Sequence, residues 1–307
     1  MTYAIAIHGG AGTVPRTMEL EKIAAYEAAL KKALQRGRDQ LVAGGTAIDV
    51  VEDVVRLLED DPLFNAGKGA VFTHDGTHEL DASIMDGKTL GCGAVAGVKT
   101  VKNPISLARL VMTKTRHVLL VGDGAEAFAR EVSVERVDNA WFDTERRREQ
   151  WQELVTKERE AAARGDATPL DAGTKGTVGA VALDQHGHIA AATSTGGMTN
   201  KRWGRAGDSP IIGAGTYAND ATAAVSCTGT GEEFIRHAVA RTVHARMELL
   251  REPLDVAAQR SLDQLQKGDG GLIAVDKNGT LALPYNTEGM YRGAADSRGR
   301  FDVAIWD

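Results

Sequence analysis

Gly176-Thr-Val-Gly-Ala-Val-Ala-Leu-Asp-Gln-His-Gly-His-Ile-Ala-Ala-Ala-Thr-Ser-Thr195 decides the fold class. Thr177 to Leu183 and Ile189 to Thr195 are runs of small and β-branched residues on either side of a turn at Gln185-His-Gly187, which predicts a β-hairpin. The preceding stretch, from about Trp141 to Lys175, has a different texture. It is highly charged and loses apolar periodicity, as in Arg146-Arg-Arg-Glu-Gln150 and Glu158-Arg-Glu-Ala-Ala-Ala-Arg-Gly-Asp166. Its first half can extend a solvated helix, and Gly165 to Gly176 reads as a flexible, exposed linker.

Downstream, two further hairpins are expected: Ile211–Tyr217 with Ala221–Thr228 across Asn219-Asp220, and Leu272–Val275 with Thr280–Leu283 across Asn278-Gly279. Amphipathic helices over Glu232–Leu250 and Leu254–Gln266 lie between them. Upstream, Tyr3–Ile7 reads as a strand running into a turn at His8-Gly-Gly-Ala-Gly12. A helix over Glu19–Leu41 follows, then a second from the N-cap Thr46 to Leu58. Ala70–Thr73 and Glu79–Met85 flank Asp75-Gly76 and predict another hairpin, Val118–Val121 a strand, and Asp123-Gly124 the start of a helix. This order suits an α+β fold in which two antiparallel sheets are packed between helices. No internal repeat or low-complexity tract interrupts it.

Composition narrows the function. With 43% hydrophobic and 25% charged residues, the 307-residue chain has enough apolar material for a well-filled core. A net charge of −6 without a basic stripe argues against nucleic acid and anionic membranes as partners. Cys92 and Cys227 lie far apart without metal or disulfide spacing, and the eight histidines show no metal spacing either. His8 is expected to pack at a strand end rather than catalyse. The apolar run after Met1 is too short for a signal peptide or a membrane span, which points to the cytoplasm.

A threonine that opens a strand is ordinarily just a β-branched strand residue. Directly after a disposable linker it acquires a second meaning, because a cut there frees an α-amine that can activate the adjacent hydroxyl. Such an amine has an unperturbed pKa of about 7.7–8.0, close to what a general base at neutral pH needs. Gly176 suits the strained backbone of a scissile bond. Thr193-Ser-Thr-Gly-Gly-Met-Thr-Asn200 and Thr228-Gly-Thr-Gly231 combine hydroxyls with glycine amides, the groups an oxyanion site uses, although each is also an acceptable turn.

Seven runs occur in order along nearly the whole chain: His8-Gly-Gly-Ala-Gly12, Pro62-Leu-Phe-Asn-Ala-Gly-Lys-Gly69, His78-Glu-Leu-Asp-Ala-Ser-Ile-Met-Asp-Gly87, Gly176-Thr-Val-Gly-Ala-Val-Ala182, Ser194-Thr-Gly-Gly-Met-Thr-Asn-Lys201, Gly204-Arg-Ala-Gly-Asp-Ser-Pro210 and Ser226-Cys-Thr-Gly-Thr-Gly-Glu232. Together they resemble the plant-type asparaginase / isoaspartyl peptidase family of N-terminal-nucleophile (Ntn) hydrolases, with glycosylasparaginase and taspase as more distant relatives. The resemblance implies one αββα domain over residues 1–307. It also implies cleavage between Gly176 and Thr177 into an α-subunit (1–176, with a flexible linker at about 141–176) and a β-subunit (177–307). The implied assembly is a dimer of cleaved units, α2β2.

Carried over by position, the resemblance makes Thr177 the nucleophile and Thr195 the hydroxyl that orients it. Thr228 and Gly229 become the oxyanion donors. Arg205 becomes the clamp for the substrate α-carboxylate, and Asp208 with the Gly231 carbonyl the acceptors for its α-ammonium. Asn65 falls near the nucleophile's amine. The implied substrates are L-asparagine and β-aspartyl dipeptides, hydrolysed through a threonine ester with no catalytic cofactor. A structural sodium ion on the backbone carbonyls of Leu58, Glu59, Asp61, Phe64, Ala66 and Lys68 is implied as well, with Lys68 a cation where an apolar residue is expected. Alternatives are a glycosylasparaginase-like amidase, a phosphate-binding kinase-like protein and a non-enzymatic binding protein. The chain has no GxxxxGK[ST] run to support the kinase-like reading.

Overall fold

The structure is a computed structural model that describes residues 2–165 and 176–307. The first half supplies β1 (Ala4–Gly12), α1 (Leu20–Val42), α2 (Ala47–Glu59), β2 (Leu80–Asp86), β3 (Cys92–Val98), α3 (Pro104–Lys114), β4 (Leu119–Val121), α4 (Gly122–Glu131) and α5 (Glu145–Ala163). The second half supplies β5 (Val178–Leu183), β6 (Ile189–Thr195), β7 (Thr216–Ala218), β8 (Ala223–Gly229), α6 (Gly231–Arg236), α7 (Val239–Leu250), α8 (Leu254–Leu262), β9 (Gly270–Asp276), β10 (Leu281–Ala282), β11 (Gly289–Asp296) and β12 (Phe301–Ala304).

Eight strands form one sheet in the order β12-β11-β1-β5-β6-β2-β3-β4, and four form a second in the order β10-β9-β8-β7. Strand periodicity assigns the layers. Val178, Ala180 and Ala182 of β5 pack with Leu34, Val51 and Val55 of α1 and α2, while Val181 and Leu183 point the other way, towards Ala224, Ile273 and Val275 of the second sheet. The outer face of that second sheet packs Val225, Cys227 and Leu272 on α7 and α8. This is the expected αββα arrangement. β1 and β2 flank the β5–β6 hairpin on either side, so segments before and after residue 176 interleave in one sheet.

Several local expectations change. The turn expected at His8–Gly12 is a continuation of β1, with a bulge between His8 and Gly10 (φ 116°). A Cβ on Gly10 would sit 3.0 Å from the Gly176 Cα, so these glycines serve close approach rather than chain reversal. The Asp75-Gly76 turn does close, through Thr73 N–H to Thr77 O at 2.7 Å, but its arms form no ladder. Val71 N–H goes instead to Asn65 Oδ1 (3.0 Å), the Phe72 carbonyl accepts from Asn200 N–H (2.8 Å), and β2 pairs with β3 and β6.

The helix expected over Glu232–Leu250 is broken at Ala238, which is left-handed (φ 43°). The first free N–H groups of α7 are taken by the loop carbonyls of Ala214 and Gly213. Ile211–Gly215 accordingly lies outside β7. β3 and β4 pair in parallel, an exception to the expected antiparallel order. Thr46 caps α2 as expected, accepting from Asp49 N–H. The charged stretch after Trp141 forms α5. The rest of the expected linker, residues 166–175, lies outside the described residues.

Candidate active site

β5 and β6 pair with Val178 opposite Ser194, a register that sets Thr177 across from Thr195 at the open end of the hairpin. Thr177 Oγ1 lies 3.4 Å from Thr195 Oγ1. Thr195 Oγ1 donates to the Gly176 carbonyl at 2.9 Å and accepts from Gly197 N–H at 3.0 Å. Asn65 Nδ2 donates to the same Gly176 carbonyl at 2.9 Å and to the Gly197 carbonyl at 2.7 Å. Asn65 therefore sits on the carbonyl of the bond expected to break, next to the Thr177 nitrogen rather than on it. Two donors converge on that oxygen, the arrangement that stabilises a developing oxyanion.

His8 lies against the Thr177 backbone. Its Nδ1 donates to the Thr177 carbonyl at 2.7 Å, which leaves Nε2 to accept from Ser226 Oγ at 2.8 Å. Burial pushes the imidazole down to about 4, so it is neutral at pH 7. A Cβ on Gly179 would lie 2.1 Å from Ser226 Oγ and 2.4 Å from His8 Nε2, so this contact requires glycine there. Ser226 accepts in turn from Thr193 Oγ1 (2.7 Å), and Thr193 from Thr216 Oγ1 (2.5 Å). The expected packing role of His8 thus includes a direct hold on the Thr177 backbone.

The remaining expected residues gather around one small cavity, bordered by Thr177, Thr195, Arg205, Asp208, Gly229 and Gly231. Thr228 is fully buried on β8, and its Oγ1 accepts from Ala11 N–H at 3.1 Å, a contact that leaves the hydroxyl proton for another acceptor. Asp208 is buried with one carboxylate oxygen lacking a hydrogen-bond partner among the described residues. Burial pushes its carboxyl up to about 7, against the downward pull of the Arg205 charge. Arg205 holds Glu232 bidentately, with Nε to Oε1 at 2.8 Å and Nη2 to Oε2 at 2.7 Å. A carboxylate thus already occupies the guanidinium fork. Glu232 closes the run Ser226–Glu232, and no local sequence pattern links it to Arg205, 27 positions away.

In the loop expected to carry sodium, two glycines lie close against backbone carbonyls. A Cβ at Gly67 would lie 2.3 Å from the Glu59 carbonyl, and one at Gly69 would lie 2.1 Å from that of Phe64. Lys68 turns its ammonium out to the carbonyls of Trp141 and Asp143, 4.9 Å from the Trp141 ring centre. Hard oxygen donors free of a competing cation suit an alkali ion. Among the described residues no cluster of three His, Cys, Asp or Glu side chains forms a metal site.

A sequence model of the family described as "Asparaginase" matches residues 1–305. The chain belongs to that family. It is similar to the isoaspartyl peptidase of Escherichia coli (strain K12), 54% identical over 296 residues covering 94% of this chain and 91% of the relative. It is also similar to the plant-type L-asparaginase of Pyrococcus furiosus, 46% identical over 297 residues covering 94% of each. The isoaspartyl peptidase/L-asparaginase of Xenopus laevis is 42% identical over 293 residues, covering 94% of this chain and 91% of the relative. The two-sheet, helix-flanked architecture agrees with the Ntn-hydrolase fold that the resemblance implied.

Proposed function

We propose that the chain is a hydrolase of L-asparagine and β-aspartyl dipeptides, activated by its own cleavage between Gly176 and Thr177. The names of its relatives support the reaction, and the observation that carries the reading is the doubly hydrogen-bonded Gly176 carbonyl beside the Thr177 hydroxyl. Thr177 Oγ adds to the Gly176 carbonyl carbon, and Asn65 and Thr195 hold the oxygen as it gains charge. The C–N bond then breaks, the nitrogen leaves as the Thr177 α-amine, and water hydrolyses the resulting ester.

In the mature enzyme the Thr177 amine takes the hydroxyl proton as Oγ attacks the substrate's β-carbonyl. Thr228 Oγ1 and Gly229 N–H stabilise the tetrahedral oxyanion. Ammonia or an amino acid leaves, and water releases aspartate. Arg205 and Asp208, of opposite charge on one cavity, match the α-carboxylate and α-ammonium of such substrates. The Gly231 carbonyl is the second acceptor for the ammonium.

The backbone carbonyls of residues 58–68 would hold a sodium ion that stiffens the loop bearing Asn65. The same reading includes an α2β2 dimer in the cytoplasm. Exposed Leu119 and Val121 on the edge strand β4 support association, and no helix among the described residues is long and apolar enough to cross a membrane. The deciding experiment is a denaturing gel with intact masses and an asparaginase assay. Fragments 1–176 and 177–307 with activity are expected, and a full-length, fully active chain would overturn the reading. Light scattering reads the assembly, and cell fractionation the compartment.

A further inference from the structure

Arg146 and Arg147 stand in the first turn of α5, where unpaired helix N–H groups already carry positive charge and a cationic side chain is disfavoured. Arg147 is buried, and its partners are uncharged: Nε donates to the Gly69 carbonyl at 2.8 Å and Nη1 to Gln150 Oε1 at 3.0 Å. Arg146 Nη1 donates to the Tyr26 hydroxyl at 2.5 Å, and that hydroxyl's own proton goes to the Leu63 carbonyl at 3.2 Å. The next residue, Arg148, pairs with Asp143, but among the described residues neither Arg146 nor Arg147 has a carboxylate within 4.0 Å. Burial, with the Arg146 charge second, pushes the Arg147 guanidinium down to about 10. Two neighbouring cations at the positive end of a helix, one of them desolvated, are a costly arrangement unless an anion joins them.

Arg146 and Arg147 both border a pocket that, together with the open solvent at its mouth, spans about 600 Å3. Its other walls include Gly10, Asn65, Gly176 and the stacked rings of Tyr26 and Tyr291, whose centroids are 4.2 Å apart. Gly176 also borders the cavity of Arg205 and Asp208, so the two spaces have Gly176 in common while carrying different charged groups. We propose that the arginine-lined cavity is an anion site that takes a carboxylate, either the one that cleavage creates on Gly176 or that of a small free acid. A guanidinium fork matches a carboxylate with two parallel hydrogen bonds. In the first case water adds to the Gly176–Thr177 ester, the C–O bond breaks with the proton going to Thr177 Oγ, and the new carboxylate appears at the cavity wall. That source rests on the self-cleavage reading, whereas the free-acid source does not.

The test is calorimetric titration of malonate into a full-length Thr177→Ala, Arg205→Ala chain, which can neither cut itself nor use the substrate clamp. Saturable binding is expected, weakened about tenfold or more by Arg146→Gln. Because Arg147 also holds Gly69, Arg146→Gln is the informative variant, with circular dichroism checking that it folds. No malonate binding, or binding that Arg146→Gln leaves unchanged, overturns the site. In processed Arg205→Ala enzyme, loss of malonate binding assigns the occupant to the Gly176 carboxylate, and retained binding assigns it to a free acid. A wild-type chain that stays uncut defeats the self-cleavage reading, while the Thr177→Ala arm still judges the anion site.

Discussion

The Gly176 carbonyl accepts from Asn65 and Thr195 and the Thr177 carbonyl from His8, whereas at the neighbouring charged pair Arg205 is taken up by Glu232 and Asp208 keeps an oxygen without a partner among the described residues. The first region is finished in the uncut chain. Its donors come from the hairpin β5–β6, the adjoining β1 and the loop carrying Asn65, and each is pinned by further hydrogen bonds. The second region keeps only one charge open: Asp208 has an oxygen to offer, while a substrate carboxylate would have to share Arg205 with Glu232. On the proposed function the difference separates two jobs: breaking the chain's own bond needs geometry that exists beforehand, and recognising a substrate ammonium needs a charge that binding compensates.

On the proposed function Thr177→Ala removes the nucleophile of both reactions, so the chain should stay at full length on a denaturing gel and turn over no asparagine. Processing of this variant at the same bond would show that another agent cuts it. Asn65→Ala removes one of the two donors on the Gly176 carbonyl and should slow processing by about 10²–10³-fold, the usual effect of losing an oxyanion donor. A time course by mass spectrometry measures it, and unchanged processing would take Asn65 off the reaction path.

On the recognition side, Arg205→Lys keeps the charge and loses the fork. It should cost about 1.5–3 kcal/mol in kcat/KM for asparagine while maturation proceeds normally. Wild-type kcat/KM would remove Arg205 from the site. Asp208 must be ionised to meet an ammonium, and its carboxyl lies at about 7 in the free protein. The kcat/KM profile should therefore rise through pH 7, whereas kcat at saturating substrate keeps only the limb of the Thr177 amine, near or below about 7.7–8.0. Asp208→Asn should lower kcat/KM and abolish the first limb, and an unaltered profile would assign it elsewhere.

The smallest effect concerns stability beneath the finished region. Glu59 is fully buried, accepting from Ser194 Oγ at 2.6 Å and from Ile105 N–H at 3.0 Å. Burial pushes its carboxyl from 4.5 up to about 8. A folded chain that holds this proton more tightly than the unfolded chain is favoured below the unfolded value, and that contribution is lost as pH rises from 4.5 towards 8. Replacing it by glutamine should flatten the fall of Tm between pH 5 and pH 8, a change of at most a few kcal/mol. Parallel Tm curves for both proteins would mean that Glu59 does not titrate in this window.

Much was legible without coordinates because it is local. The small and β-branched run from Thr177 to Thr195, the turn at Gln185–Gly187 and the cap at Thr46 depend on neighbours a few residues away, and the hairpin register alone brings Thr177 opposite Thr195. Where glycine was read as a turn signal, at His8–Gly12, the strand continues, because glycine there makes room for Gly176 and has no need to reverse the chain. Ala70–Thr73 failed as a ladder strand because its backbone groups are claimed by Asn65 and Asn200.

Composition, periodicity and ordered motifs were enough for the layered fold class and the family. The contacts themselves came from packing over long separations: Asn65 on the Gly176 carbonyl across 111 positions, His8 on Ser226 across 218, Glu232 in the fork of Arg205 across 27, and Arg146 and Arg147 of α5 without a carboxylate among the described residues. The physical reason is range. Backbone propensity and side-chain period act over a turn or a strand, whereas hydrogen bonding and charge compensation depend on which distant segments the packed sheets bring within a few ångströms.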